Sequence, residues 1–188
     1  MNGPEPLTGE PLALDLVNTL PHTVDGPPVD HLADAAGLRV WLALQAGRLP
    51  ESGRIAEADL AAIHQVRTYA VEAIGRARQG ERPPQDALRG LNEAQLAAPA
   101  VRYAEWRDDR MTVESRRSGA FGAQVAAALA ESVVDLLADP AFGSVRECEA
   151  ADCTMLFLPA HPRRRWCSAS RCGNRARVAR YYQRHKTT

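Results

Sequence analysis

The four cysteines of this 188-residue chain come as two matched pairs near its C-terminal end: Cys148 and Cys153, then Cys167 and Cys172. Four residues lie inside each pair and thirteen between the pairs. Two short pairs joined by a longer arm is the layout of a tetrahedral four-thiolate zinc site. Zinc holds thiolate sulfur at about 2.3 Å, and four thiolates leave no open position for substrate. One structural Zn2+ is therefore the expected cofactor. A segment of about 40 residues buries too little apolar surface to fold alone, so the metal supplies much of its folding free energy, about 10–16 kcal/mol. Two disulfides are an alternative, disfavoured where thiols stay reduced. Four unrelated core cysteines are another, at odds with two matched pairs. His161 and His185 are spare ligands that a complete set does not need. Gly173, next to the last cysteine, is expected to let the chain turn sharply beside the metal. Arg171, Arg175 and backbone N–H groups are expected to offset the net charge of zinc with four thiolates.

The same stretch is the basic part of the chain. Of 23 basic and 23 acidic residues, nine basic and no acidic ones fall in residues 153–188, leaving 14 against 23 for the rest. The zero net charge thus conceals an acidic body with a basic tail, a pattern suited to polyanions. Arg163, Arg164 and Arg165 form an extended arm before Cys167. Asn174 reads as an N-cap, and Arg175 to His185 as a helix. Arg177, Arg180 and Arg184 share one stripe at the 3.6-residue period, while Val178, Tyr181 and Tyr182 form a neighbouring face suited to packing on the zinc ribbon or the body. These arginines, with Arg175, are the expected contacts to double-stranded DNA, through phosphates and guanine edges. About six phosphate contacts would give a slope of roughly −5 in log K against log salt. A solvated charge face is the bland alternative, and it ordinarily mixes both signs.

The remaining chain must position this tail. Met1 to Glu10 carries Glu and Pro where a signal peptide would carry Lys or Arg, and the apolar stretches read as shorter than the roughly 20 residues of a membrane helix. A cytoplasmic protein without a membrane partner is expected. Leu12 to Thr19 is a short apolar run that fits either a strand or a helical turn. After a Pro27-Pro28 loop, Asp30 or Asp34 caps a helix with Leu38, Trp41 and Leu42 inward and Gln45 at the edge, stopped by Gly47 and Pro50. Glu57 to Ala77 is the clearest helix, with Leu60, Ile63, the Arg67 stem, Ala70, Val71 and Ile74 at helical spacing, ended by Gly80. A shorter helix carries Ala87, Leu88, Leu91 and Leu96. Val101 to Val113 changes to period two around Asp108-Asp109, which predicts a β-hairpin. Ser115 or Ser118 is expected to cap a long helix reaching about Ala138, with Phe121, Val125, Leu129, Val133, Leu136 and Leu137 inward. Pro140 and Gly143 then break the chain. The fold class is α+β: a mainly helical N-terminal domain with a β-hairpin over 1–140, then a small treble-clef or ribbon-like zinc finger over 141–188 that ends in a basic helix.

Arg164-Arg165-Trp166-Cys167-Ser168 and Cys172-Gly173-Asn174-Arg175 resemble the CGNR-type zinc finger, named for that tetrapeptide. Cys148 and Cys153, followed by Phe157, match the same pattern. Leu14-Asp15-Leu16-Val17-Asn18-Thr19 resembles the opening motif of the ABATE domain that precedes such fingers, so the resemblance covers nearly the whole chain. It implies a bacterial stress-induced transcription regulator whose N-terminal domain senses a signal and whose finger binds DNA. It also implies zinc ligation by Cys148, Cys153, Cys167 and Cys172. Ala169 stands where the family often has Met, and Leu158-Pro159-Ala160-His161 replaces a more polar stretch. Neither departure touches a ligand.

Two further readings stay open. Trp166, Tyr181 and Tyr182 could stack on unpaired bases, giving an RNA-binding or protein-interaction module. A small enzyme in the N-terminal domain would draw on Asp15, Asn18, His22, His31 and His64, but no triad order, phosphate loop or metal-ligand pair occurs among them. No catalytic role is expected. Asn18 and Thr19 either cap a helix or line a pocket for a small-molecule or protein signal. Single fingers contact little surface, so a homodimer is a further expectation.

Overall fold

The structure, a computed structural model, describes residues 6–20, 30–50, 55–151 and 153–185. His22 and the Pro27-Pro28 loop lie outside the described residues. The body holds helices α1 (Leu12–Val17), α2 (Ala35–Leu44), α3 (Glu57–Arg78), α4 (Gln85–Ala97) and α5 (Phe121–Ala138), with a hairpin of β1 (Val101–Arg107) and β2 (Arg110–Arg116) between α4 and α5. A 3-10 turn (Pro140–Ser144) leads to the finger, which holds β3 (Arg146–Glu147), β4 (Leu156–Phe157), a π-helical turn (Ala169–Gly173) and α6 (Asn174–His185). The ambiguous run at Leu12 is thus helical.

Helices α3, α4 and α5 pack on one another, α1 lies against α3 and α5, and α2 against α3. Leu14, Leu16, Trp41, Ile63, Leu91 and Leu129 are fully buried in the shared core. By length and composition α5 passes for a membrane-spanning helix, contrary to the sequence expectation; in this fold its apolar stripe is the core contact with α1, α3 and α4. Small residues set the close approaches. A Cβ on Gly122 would lie 2.3 Å from the Asp59 Cα, and one on Gly90 would meet the Tyr69 ring. Asp59 uses that proximity to cap two helices: its carboxylate accepts from Ala56 N at 2.8 Å and from Gly122 N at 2.7 Å. Neither Ser115 nor Ser118 therefore caps α5, because the N-terminus of α3 supplies the acceptor.

Asp34 caps α2, accepting from Gly37 N at 2.8 Å, and Gly47 ends the turn after it with φ of +78°. Gln45 is fully buried rather than at the edge. Val71 and Leu96 are 44% and 77% exposed, so the inward stripes of α3 and α4 run through Val66, Ala73 and Gly90 instead. The hairpin has the predicted two-residue turn, with Asp108 and Asp109 at φ of 49° and 55°. One of its faces carries a net of ion pairs among Glu105, Arg107, Glu114 and Arg116; the other exposes Trp106, Met111 and Val113.

Candidate metal centre and basic surface

Strands β3 and β4 pair antiparallel, Arg146 opposite Phe157 and Glu147 opposite Leu156. The connection between them carries the first cysteine pair, closed by Cys148 N donating to Met155 O at 2.9 Å. Glu149 N donates to Arg165 O at 3.0 Å, which draws the arginine arm alongside that connection. The second pair flanks the start of the terminal helix: Cys167 precedes it and Cys172 lies in its π-helical first turn. Helical structure begins at Ala169, capped by the Ser168 hydroxyl, which accepts from Arg171 N at 3.2 Å; the cap is therefore Ser168 and not Asn174. One pair on a ribbon and one at a helix start is the treble-clef arrangement.

The four sulfurs lie within 4.8 Å of one another. Cys153 to Cys167 is 3.8 Å, Cys167 to Cys172 3.5 Å and Cys153 to Cys172 3.7 Å. Tetrahedral zinc with bonds of about 2.3 Å places its sulfurs about 3.8 Å apart, whereas a disulfide needs about 2.05 Å. All four cysteines are free thiols. The donor set thus fits one zinc ion held by Cys148, Cys153, Cys167 and Cys172. Without metal the cluster shares its protons unevenly. A hydrogen bond from Cys167 brings Cys153 down to about 5. The hydrogen bond to Cys153, with burial, pushes Cys167 up, and burial pushes Cys172 up to about 11. Zinc binding must displace those retained protons. Cys167 N donates to Cys148 Sγ at 3.3 Å, and Arg175 reaches Cys172 Sγ at 3.8 Å, so both offset thiolate charge.

The tetrapeptide at 172–175 has a separate reason at each position. Cys172 is a ligand. Gly173 is helical rather than at a sharp turn, and its value is close approach: a Cβ there would sit 3.1 Å from Trp166 Cδ1. Asn174 Oδ1 accepts from Arg177 Nη1 at 2.9 Å. Arg175 donates to Ala151 O at 2.9 Å, tying the helix to the first knuckle.

The predicted DNA-contact arginines divide into two groups. Arg164 donates to Trp166 O, Cys167 O and the Glu10 carboxylate, and its guanidinium lies 4.5 Å over the Phe157 ring. Arg165 pairs with Glu149 at 2.6 Å and lies over Trp166. With Arg175, these hold the finger together and to the body. Arg163, Arg177, Arg180 and Arg184 have no carboxylate partner among the described residues. The last three line one surface groove with Gln183. Helix α6 buries no residue, and Val178, Tyr181 and Tyr182 are 53%, 53% and 65% exposed, so the expected packing of that face on ribbon or body is absent. Trp166 does pack in the finger core with Phe157 and Met155. His161 is a loop residue accepting from Arg163 N, and His185 stacks on Tyr181.

The polar residues of the N-terminal motif are all engaged. Asp15, fully buried, accepts from Gly9 N, Glu10 N, Gln45 and Arg48. Asn18 and Leu156 exchange two hydrogen bonds of 2.8 Å, side-chain amide to backbone. Thr19 donates to Leu16 O and accepts from Arg67, whose guanidinium grips Asp30 in bidentate fashion at 2.6 and 2.8 Å. His64 meets Leu32 O at 2.6 Å. Glu10, unremarked in the sequence reading, accepts from Leu158 N at 2.9 Å as well as from Arg164. Its only sequence signal is an acid just ahead of the apolar run.

Fold and site define a class: a helical body clamped to a four-cysteine zinc finger that ends in an exposed arginine helix. Residues 10–140 match the ABATE family model, described as "Putative stress-induced transcription regulator", and residues 144–185 match the CGNR zinc finger model. The chain belongs to the ABATE family and carries a CGNR zinc finger. No match is found among curated proteins. Both matched families are of regulator or zinc-finger type, not enzyme families.

Proposed function

We propose that this protein is a zinc-dependent DNA-binding transcription regulator, in which α6 contacts duplex DNA and the N-terminal body senses a signal. The observation that carries this reading is the exposed stripe of Arg177, Arg180 and Arg184 on a helix that buries nothing. Zinc fixes the start of that helix, and among the described residues Glu10 of the body engages Arg164 and Glu149 of the finger engages Arg165, leaving the stripe for phosphate. Arg163 adds a fourth cation at the base of the arm. With four phosphates neutralised in place of six, the salt slope becomes about −3.6 for one finger.

Anisotropy titrations of zinc-loaded protein on duplex DNA, from low to moderate salt, test the reading. Binding should weaken with that slope, and the triple change of Arg177, Arg180 and Arg184 to Gln should flatten it. Salt-independent binding, or a triple variant that binds as the parent does, would refute DNA contact through α6. Exposed Tyr181 and Tyr182 favour a second reading, stacking on unpaired bases. Tighter binding to single-stranded RNA than to duplex DNA would select it.

A further inference from the structure

The body and the finger meet along a seam that contains a pocket of about 180 Å³. The body side presents Val17, Leu20, Ile74 and Arg78, and the finger side Thr154 and Leu156. The exposed Val71 and Glu147 form the rim. Three features set this pocket apart. Its walls are mostly apolar, Asn18 and Thr154 apart, and at one end the Nε of Arg78 is buried with no hydrogen-bond partner among the described residues. The nearest carboxylate among the described residues, Glu147, makes a long ion pair with Nη2 of Arg78 at 3.7 Å, beyond hydrogen-bond reach, and is itself half exposed. Finally, Gly75 lines the cavity in the interior of α3, and a Cβ built there meets no atom within 4 Å. Glycine weakens a helix interior relative to alanine. Here neither a turn nor a close approach requires it, so what it preserves is open space.

We propose that this seam pocket binds a small organic anion, a carboxylate on a short apolar or single-ring tail. The carboxylate would accept from Arg78, whose buried Nε gains the partner it lacks, and the tail would lie over Gly75 between Ile74 and Leu156. The volume sits below the roughly 300–1,000 Å³ of drug-sized sites, which sets the ligand's size. A ligand there touches both the body and β4, whose Leu156 is already held by Asn18, so its occupancy bears directly on how the finger is seated. The larger groove beside Arg48, Arg116 and Arg117 lacks this signature, since each of those cations already has acceptors. The proposal rests on the sensing role put forward above and names its site and ligand class.

Benzoate and its uncharged analogue benzyl alcohol are suitable probes, titrated into the zinc-loaded full chain while amide resonances of Gly75 and Thr154 are followed by NMR. Benzoate should shift both saturably and bind at least about tenfold tighter than the alcohol, the ratio expected for hydrogen bonds to a charged group. Arg78→Gln should abolish that preference. Gly75→Leu should abolish binding, and Gly75→Ala should weaken it while raising the melting temperature, which separates a filled site from a damaged fold. Equal affinity for the two probes, shifts centred elsewhere, or undiminished binding by Gly75→Leu would overturn the proposal. DNA affinity is read in a separate titration, so benzoate that binds at the seam and leaves DNA affinity unchanged overturns the sensing role while the site stands.

Discussion

Asn18 offers the sharpest test of how body and finger are joined. Its carboxamide donates to Leu156 O and accepts from Leu156 N, both at 2.8 Å, so it continues the pairing of β4 as a strand neighbour would. Asn18→Ala leaves that N–H and C=O partly buried and unpaired. Each such loss costs about 1–3 kcal/mol, and with solvent near the seam the low end applies, about 1–1.5 kcal/mol each and so about 2–3 kcal/mol for the pair. At 1.4 kcal/mol per tenfold, hydrogen-exchange protection of the Leu156 amide should fall by about 30- to 150-fold. Zinc content should stay at one equivalent, because no ligand is touched. Asn18→Asp keeps the volume and one acceptor but sets a carboxylate oxygen against the Leu156 carbonyl. That repulsion, with 5% exposure at this position, raises the introduced carboxyl's folded-state pKa above its unfolded value. The deficit is then full above the folded value and is relieved as pH falls through it, when the acid proton can donate to Leu156 O. Asn18→Asp should therefore be the less stable variant at neutral pH and recover as pH falls, while Asn18→Ala shows no such recovery. Leu156 protection within about threefold of the parent in Asn18→Ala would refute the two-point clamp.

Other perturbations probe the remaining parts. Cys172→Ser should drop zinc to near zero and open residues 146–185 to protease, and an unchanged digestion pattern would contradict a metal-dependent finger. Zinc loading at neutral pH should release at least about two protons, from Cys167, held up by its bond to Cys153 and by burial, and from Cys172, held near 11; calorimetry in two buffers counts them. Burial pushes the Asp30 carboxyl up, but the Arg67 guanidinium and Leu32 N–H outweigh it and hold it below the usual range. Its contribution is present above the unfolded value near 3.9 and lost as pH falls through the lower folded value, so Asp30→Asn should cost about 2 kcal/mol at neutral pH and flatten the acid limb of a stability curve. Two helical glycines should respond with opposite sign. Gly122→Ala, with its Cβ 2.3 Å from the Asp59 Cα, should lose about 1–3 kcal/mol, and Gly75→Ala should gain about 0.5–1 kcal/mol, both read by thermal unfolding.

The metal site was legible in the sequence because ligand spacing is a local property: four sulfurs in two loops of fixed length complete the set and leave His161 and His185 spare. Long periodic elements were legible for a similar reason, as in α3, where the stripe of Ile63, Arg67, Ala70 and Ile74 is inward as expected. The fate of the arginines was not legible. The tail contains no acid, but Glu10 lies 154 positions from Arg164 in sequence and reaches it in space, and Glu149 folds back onto Arg165 across the first knuckle. Charge runs read from sequence omit such long-range pairs, and here they take Arg164 and Arg165 out of the seven expected contacts while the stripe on α6 stays free. The caps of α5 and α6 escaped for the complementary reason. Ser118 and Asn174 have the right chemistry, but Asp59 and Ser168 are placed closer by tertiary contact and by the π-helical turn at the metal.

The short motif at 14–19 gains its meaning from what it holds. Helix α1 has six residues, too few to persist unaided, so packing and side-chain bonds must fix it. Asp15 collects the chain at Gly9 and Glu10 together with Gln45 and Arg48; Thr19 joins Arg67 and, through it, Asp30; Asn18 takes hold of β4 in the finger. Glu10, placed by Asp15, then grips Leu158 N and Arg164, and Arg164 bonds the carbonyl of the zinc ligand Cys167. Two routes therefore run from one helical turn to the metal knuckles, one through Asn18 and one through Asp15 and Glu10. Because both end on backbone groups of the finger, displacement of α1 relative to β4 breaks them together, whereas loss of either route alone leaves the other to hold the seat. Asn18→Ala combined with Glu10→Gln should consequently lower finger protection by more than the product of the single effects, and a strictly multiplicative double variant would mean that the two routes act independently.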